Sequence, residues 1–179
     1  METGANTMNP TGWRLLVALA GVLVLTFVLH EAAHWAMGVA LGHDMVVGLN
    51  GAGTRAAAGV SARDAFLISA AGPFVTIVQA LVAFQLTRSR ASTLAYAAVF
   101  AACFMRFAAA VVSVAHPNDE ARLSLALGWG TWTVPALVVA GLLALTWSAS
   151  RRLGIGWRTN VLLYLTASVV VAALVALAA

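Results

Sequence analysis

Three titratable side chains, His30, Glu31 and His34, interrupt an apolar run that begins at Leu15. A charged group at the centre of a bilayer costs about 2.5–3.5 kcal/mol on insertion scales, so this cluster requires a compensating partner. Residues at positions i and i+4 lie on one face of a helix, about 6 Å apart along its axis, so His30 and His34 can bind one cation. Glu31 can reach a water molecule at the open position of that cation. The pattern is H-E-x-x-H, which supplies two zinc ligands and a general base.

Two structural explanations compete with a metal site. In a soluble helix, the same residues can form a solvated face; in a membrane helix, they can be a cluster hydrogen-bonded to neighbouring helices. The segment 13–41 contains only one other arginine or acid, Arg14 near its start, so a long solvated face is excluded. Ionisable residues inside a membrane are usually functional, which favours the metal site over the hydrogen-bonded cluster.

A catalytic zinc site needs three protein ligands and an open position for water, and the first helix supplies two. Five residues remain as candidates for the third: Asp119, Glu120, His116, His43 and Asp44. We expect His43 to close the end of the first helix, where a cation suits the helix dipole, rather than to bind metal.

The composition is that of an integral membrane protein. Of 179 residues, 62% are hydrophobic and 9% are charged, against about 25% charged in soluble domains. The net charge of +4 comes from arginines in short loops, so it concerns topology and anionic lipid headgroups, and nothing indicates nucleic acid. Cys103 is the one cysteine, and we expect it to pack in an apolar helix.

These features predict an all-α polytopic membrane protein with about five transmembrane helices. Residues 1–11 are expected to be a disordered tail and residues 12–179 a single transmembrane domain. The predicted helices cover residues 12–41, 65–87, 91–115, 134–150 and 160–179, with a short helix at 119–127. After the first helix we expect a small hairpin or re-entrant loop, with strands at 45–49 and 55–60 around an Asn50-Gly51 turn.

Two features of the helices bear on the site. The small-residue patch Ser69 to Pro73, SAAGP, allows close approach of helix backbones and is predicted to lie against the first helix. Arg106 lies inside the third helix, where it could snorkel, hydrogen-bond to carbonyls or pair with an acid in the site, and we favour a buried structural pairing.

The order and spacing of these motifs resemble the site-2 protease family of intramembrane zinc metalloproteases. The matching residues are HEAAH at 30–34, SAAGP at 69–73 and Pro117-Asn118-Asp119, and the likeness covers about residues 22–128. The resemblance implies that Asp119 is the third zinc ligand. Two residues depart from the family pattern: Glu120 replaces a Gly after the Asp, and an expected Asn is absent, with Thr76 and Gln79 as possible substitutes.

The function implied is zinc-assisted hydrolysis of peptide bonds in membrane-embedded protein substrates, with Glu31 accepting the proton of water. The hairpin would hold an extended substrate segment by strand addition. One alternative is a non-catalytic membrane binding or assembly module of the same fold. A second is a zinc hydrolase that acts on a non-peptide substrate.

We expect a multi-pass protein of the cell membrane, surrounded by the lipid bilayer. Six arginines fall on the side of the N-terminus and three on the other, which predicts a cytoplasmic N-terminus. The family resemblance implies the reverse orientation, and we favour the charge count.

Overall fold

The computed structural model describes residues 9–48, 51–55 and 59–177. Within them lie six α-helices and one two-stranded hairpin, and five of the helices are long and apolar enough to cross a membrane. The predicted all-α polytopic membrane fold is confirmed. In chain order the elements are α1 (Trp13–Ala40), β1 (Met45–Gly48), β2 (Gly51–Thr54), α2 (Ala62–Arg90), α3 (Thr93–Val112), α4 (Asp119–Ala126), α5 (Thr133–Arg152) and α6 (Trp157–Leu177).

Helix boundaries differ from the predicted ones by a few residues. α1 matches within one residue at each end. α2 begins three residues earlier than predicted because the Ser61 hydroxyl accepts the Asp64 N–H and caps the helix there. α3 ends three residues earlier than predicted, at Val112, where Ser113 forms the C-cap.

The long helices alternate in direction, so five helix ends meet at one end of the bundle, here called the arginine end. They are the start of α1, the end of α2, the start of α3, the end of α5 and the start of α6. Two contacts fix this arrangement. The Thr93 N–H donates to Asn9 Oδ1 at 3.0 Å, and Arg152 Nη2 donates to the Arg88 carbonyl at 3.0 Å. Asn9 belongs to the predicted disordered tail, of which residues 1–8 lie outside the described residues.

α3 is the central helix. In its apolar 18-residue stretch 61% of the residues are buried, against 11% in the corresponding stretch of α6. It packs against α1, α2 and α5, mainly through alanines that allow close helix approach. The largest cluster joins leucines 15, 19 and 23 of α1 to Tyr96 and other apolar residues of α3 and α6. This packing holds α1 and α3 at a fixed rotation, and that rotation decides which of their side chains face each other.

The hairpin is confirmed, but its second strand is not where we predicted it. β2 is the glycine-rich segment Gly51–Thr54 and not 55–60, and β1 and β2 pair antiparallel with Gly48 opposite Gly51. Asn50 of the predicted turn lies outside the described residues, as do residues 56–58. The base of the hairpin closes at Asp44 and Arg55, whose side chains pair at 2.8 Å.

The hairpin folds back along α1 towards Glu31, which explains the choice of strand. A Cβ on Gly38 would lie 2.2 Å from Met45 Sδ, so β1 packs directly on the last turns of α1. A Cβ on Gly51 would lie 3.3 Å from Glu31 Oε2, so the second strand begins with a residue that leaves room for the Glu31 side chain of α1.

Candidate metal centre

α1 presents both histidines of the HEAAH motif to the interior. His30 is 4% and His34 is 5% exposed, and both lie on the helix face that also buries Thr26 and Gly38. Their Nε2 atoms are 3.1 Å apart. The two imidazoles therefore converge on one point inside the bundle.

α2 orients the two rings through their other nitrogens. His34 Nδ1 lies 2.6 Å from the Ile68 carbonyl, and because a carbonyl only accepts, Nδ1 is the protonated nitrogen. The Nε2 lone pair of a neutral His34 is then directed at the convergence point. His30 Nδ1 lies 3.3 Å from the Thr76 hydroxyl. Such contacts to the second ring nitrogen are typical of histidines that bind metals.

Gly72 explains how α2 comes this close. A Cβ at this position would lie 2.4 Å from both His30 Cε1 and His34 Nε2. The SAAGP patch therefore lies against the first helix, as predicted, and any residue larger than glycine would collide with the rings.

Asp119 completes the group from the first turn of α4. Its Oδ2 atom lies 3.1 Å from His30 Nε2 and 3.3 Å from His34 Nε2, and the residue is 7% exposed. Ligand atoms of a tetrahedral zinc with bonds of 2.0–2.1 Å are separated by about 3.3–3.4 Å. The three atoms thus have the mutual spacing of one face of such a tetrahedron, and this buried group could hold a metal ion.

The other four candidates for the third ligand lie elsewhere. His43 Nε2 pairs with Asp64 Oδ2 at 3.1 Å, and its backbone N–H bonds the Gly38 carbonyl, so the backbone of His43 closes α1 and its side chain does not. Asp44 pairs with an arginine at the base of the hairpin. His116 is exposed.

The fourth, Glu120, lies beside the site in an ion pair. Its Oε1 atom accepts from Arg106 Nη1 at 3.1 Å, and the same Nη1 lies 3.8 Å from Asp119 Oδ2. Both Arg106 and Glu120 are 3% exposed. The predicted buried pairing of Arg106 is confirmed, and the pair anchors α4 to α3 immediately beside Asp119.

The Asp119 carboxyl lies among groups that favour its ionised form, which is the form that can bind a cation. Burial alone would raise the pKa of the Asp119 carboxyl, but hydrogen bonds and charge interactions with His30 and His34 outweigh it and hold that pKa well below its usual range. Two arginines also face this carboxylate: Arg106 Nη1 lies 3.8 Å from Asp119 Oδ2, and Arg122 Nη2 lies 3.6 Å from Asp119 Oδ1.

Glu31 lies next to the group without joining it. Its Oε1 atom is 4.0 Å from His30 Nε2, and its Oε2 atom accepts the Ala52 N–H of β2 at 2.8 Å. Gly51 lies so close that a Cβ there would be 3.3 Å from Oε2. The hairpin therefore holds the Glu31 carboxylate facing the convergence point.

A cavity of about 390 Å³ opens beside these side chains. Its polar lining includes His30, Glu31, His34 and Asp119. Much of its apolar lining comes from the second half of α3 and the end of α6, including Val112, Val171, Leu174 and Val175. A segment that enters the cavity would therefore meet both apolar side chains and titratable groups.

The two substitutes considered for the missing Asn do not line the cavity. Thr76 contacts His30 at Nδ1, the ring nitrogen that does not face the convergence point, and Gln79 Nε2 donates to Thr26 Oγ1 at 2.8 Å. The structure adds Asn118 and Ala52, which do line the cavity. Asn118 was visible in the sequence as the residue before Asp119, whereas Ala52 carried no signal because it acts through its backbone.

Comparison of the chain with protein-family models, with curated proteins and with solved structures gives no match.

Proposed function

We propose that this chain is a multi-pass zinc metalloprotease of the cell membrane, similar to the site-2 proteases, that hydrolyses peptide bonds of membrane-embedded proteins. The observation that carries the proposal is the buried convergence of His30, His34 and Asp119 at 3.1–3.3 Å beside the Glu31 carboxylate. Two imidazoles and one carboxylate are a frequent ligand set of catalytic zinc, which leaves a fourth position for water or substrate.

His30, His34 and Asp119 would hold the ion, and when bound it would polarise the scissile carbonyl and make water acidic near neutral pH. Glu31 is the one remaining carboxylate in the cavity wall of the described chain, and it faces the ligands without being one of them. It would accept the proton of the attacking water and return it to the leaving amine.

The Ala52 N–H positions Glu31 for this step. A hydrogen bond from a backbone donor to an ionised carboxylate contributes about 1.5–3 kcal/mol and restricts the rotation of the side chain. β1 occupies one edge of β2, and the Ala52 N–H on the other edge donates to Glu31, so this free edge lies at the cavity that Gly51 and Ala52 line. An extended substrate segment would lie along this edge.

Two donors are available to the substrate carbonyl where the family's Asn is missing. One is the amide of Asn118. The other is the guanidinium of Arg106, which also lines the cavity. Glu120, the second departure from the family pattern, pairs with Arg106 and does not enter the cavity lining.

The first test is the metal content of the purified protein. We expect about one zinc per chain, lost in His30→Ala, His34→Ala and Asp119→Ala and retained in the control His116→Ala. Full zinc occupancy in Asp119→Ala would show that Asp119 is not the third ligand. A chain that binds no zinc would support a non-catalytic membrane binding or assembly module.

The second test separates a protease from a zinc hydrolase with a non-peptide substrate. Glu31→Gln should retain zinc and fold yet lose turnover, because an amide cannot accept the proton of water. New protein N-termini would be compared in membranes from cells that contain the wild type or Glu31→Gln. Cleavages present only with the wild type support the proposal, whereas identical N-termini together with bound zinc would indicate a non-peptide substrate or none.

A further inference from the structure

The charges of the chain are separated between its two ends. Six of the ten arginines lie at the arginine end, and none of them forms an ion pair with an acid among the described residues. Five of the six acidic residues lie at the end that carries the metal centre, and the sixth, Glu2, is outside the described residues. The six arginines are Arg14, Arg88, Arg90, Arg151, Arg152 and Arg158.

A groove of about 730 Å³ begins at this end, between α2 and α3. Its walls are apolar, with Val75, Val78, Val82 and Leu86 from α2 and with Leu94, Ala95 and Ala98 from α3. Val22 of α1 also lines it, and Arg90 lies in the lining where α2 ends.

Gln79 of α2 also lines the groove, and its amide nitrogen is bonded within the protein. Gln79 donates to Thr26 Oγ1 at 2.8 Å and to the Ala98 carbonyl at 3.3 Å, both within the protein. The groove interior is therefore suited to a hydrocarbon chain, and its one cationic group lies at the mouth.

The length of the groove matches one leaflet of a bilayer. Val75 and Arg90 are fifteen positions apart, which corresponds to about 22 Å along the helix. Half of a bilayer's hydrocarbon core is about 15 Å thick, and the remaining length reaches the headgroup region. An acyl chain in the groove would thus place its headgroup beside Arg90.

We propose that this groove is a binding site for one anionic phospholipid, with an acyl chain between α2 and α3 and the phosphate at Arg90. A headgroup of net negative charge is favoured over a zwitterionic one because the surrounding arginines have no acidic partner among the described residues, and a choline group would add a further cation. The phosphate would lie at the opposite end of the bundle from the metal centre, and no residue of the groove lines the cavity at that centre, so this proposal does not rest on the proposed protease activity.

The experiment is native mass spectrometry of the purified protein with phosphatidylglycerol or phosphatidylcholine of the same acyl chains. The wild type should bind one phosphatidylglycerol saturably, with about tenfold preference over phosphatidylcholine. Arg90→Gln should remove this preference. Arg88→Gln is the matched control, since Arg88 is an exposed residue of the same helix end that does not line the groove.

A second pair of variants tests the acyl chain. Val82→Trp should fill the groove and reduce binding about tenfold, whereas Leu81→Trp, on the adjacent exposed surface and outside the lining, should not. Thermal unfolding of each variant reports whether it is folded. If Val82→Trp does not fold, the comparison of Arg90→Gln with Arg88→Gln tests the site instead. Equal losses in Arg90→Gln and Arg88→Gln, or equal affinity for both lipids, would overturn the site in favour of diffuse headgroup attraction.

Discussion

The substitution Gly72→Ala would add one methyl group to α2 at the point where that helix touches both imidazoles. The new Cβ would lie 2.4 Å from His30 Cε1 and 2.4 Å from His34 Nε2. Heavy atoms in favourable contact are about 3.5–4.0 Å apart, so the rings must move by about 1 Å or α2 must withdraw. Withdrawal is also costly, because it would break the contact of His34 with the Ile68 carbonyl.

A shift of this size exceeds what a zinc site tolerates. Ligand distances are held within about 0.2 Å, and loss of a single outer contact to a ligand costs about 10- to 100-fold in metal affinity. Because both ligands are displaced, we expect Gly72→Ala to weaken zinc binding at least about 100-fold, or about 2.8 kcal/mol. Overpacking should also destabilise the metal-free protein by about 1–3 kcal/mol.

The assay is zinc affinity by competition with a chelator, together with thermal unfolding in the presence of EDTA. Gly21→Ala is the matched control, because Gly21 is also a glycine inside a membrane helix and a Cβ there meets no atom within 4 Å. It should bind zinc as the wild type does. Wild-type zinc affinity in Gly72→Ala would refute the close approach of α2 to the two histidines.

Two further predictions concern the hairpin and the topology. Ala52→Pro removes the N–H that donates to Glu31 and should lower turnover about tenfold with zinc retained. Ala52→Gly keeps the N–H and should keep the rate of the wild type. Equal rates in the two variants would contradict a positioning role for this N–H. For topology, single cysteines are introduced after Cys103→Ser: one at Ser89 should be shielded from an impermeant thiol reagent in intact cells and one at Thr54 labelled. The opposite labelling would mean that the family orientation is right and the charge count wrong.

The membrane fold and half of the metal centre follow from local sequence patterns. Apolar segments of spanning length determine the helices, and the i, i+4 spacing alone places His30 and His34 on one face. The SAAGP patch identified the helix that packs against them, because small residues are what close helix packing in lipid requires. Arg106 inside an apolar helix likewise favoured a buried pairing, although the sequence did not say with which acid.

The position of Asp119 beside the two histidines and the contacts of Glu31 were decided only by the tertiary structure. Asp119 is 89 positions from His30, and the sequence left it among five candidates that the family resemblance alone could rank. Its place depends on how α4 is anchored through Glu120 and Arg106, which no local periodicity encodes. Ala52 could not be identified from the sequence for a different reason. Its role comes from a backbone N–H, which every residue except proline carries. Only the packing of the hairpin on α1 brings this N–H to Glu31.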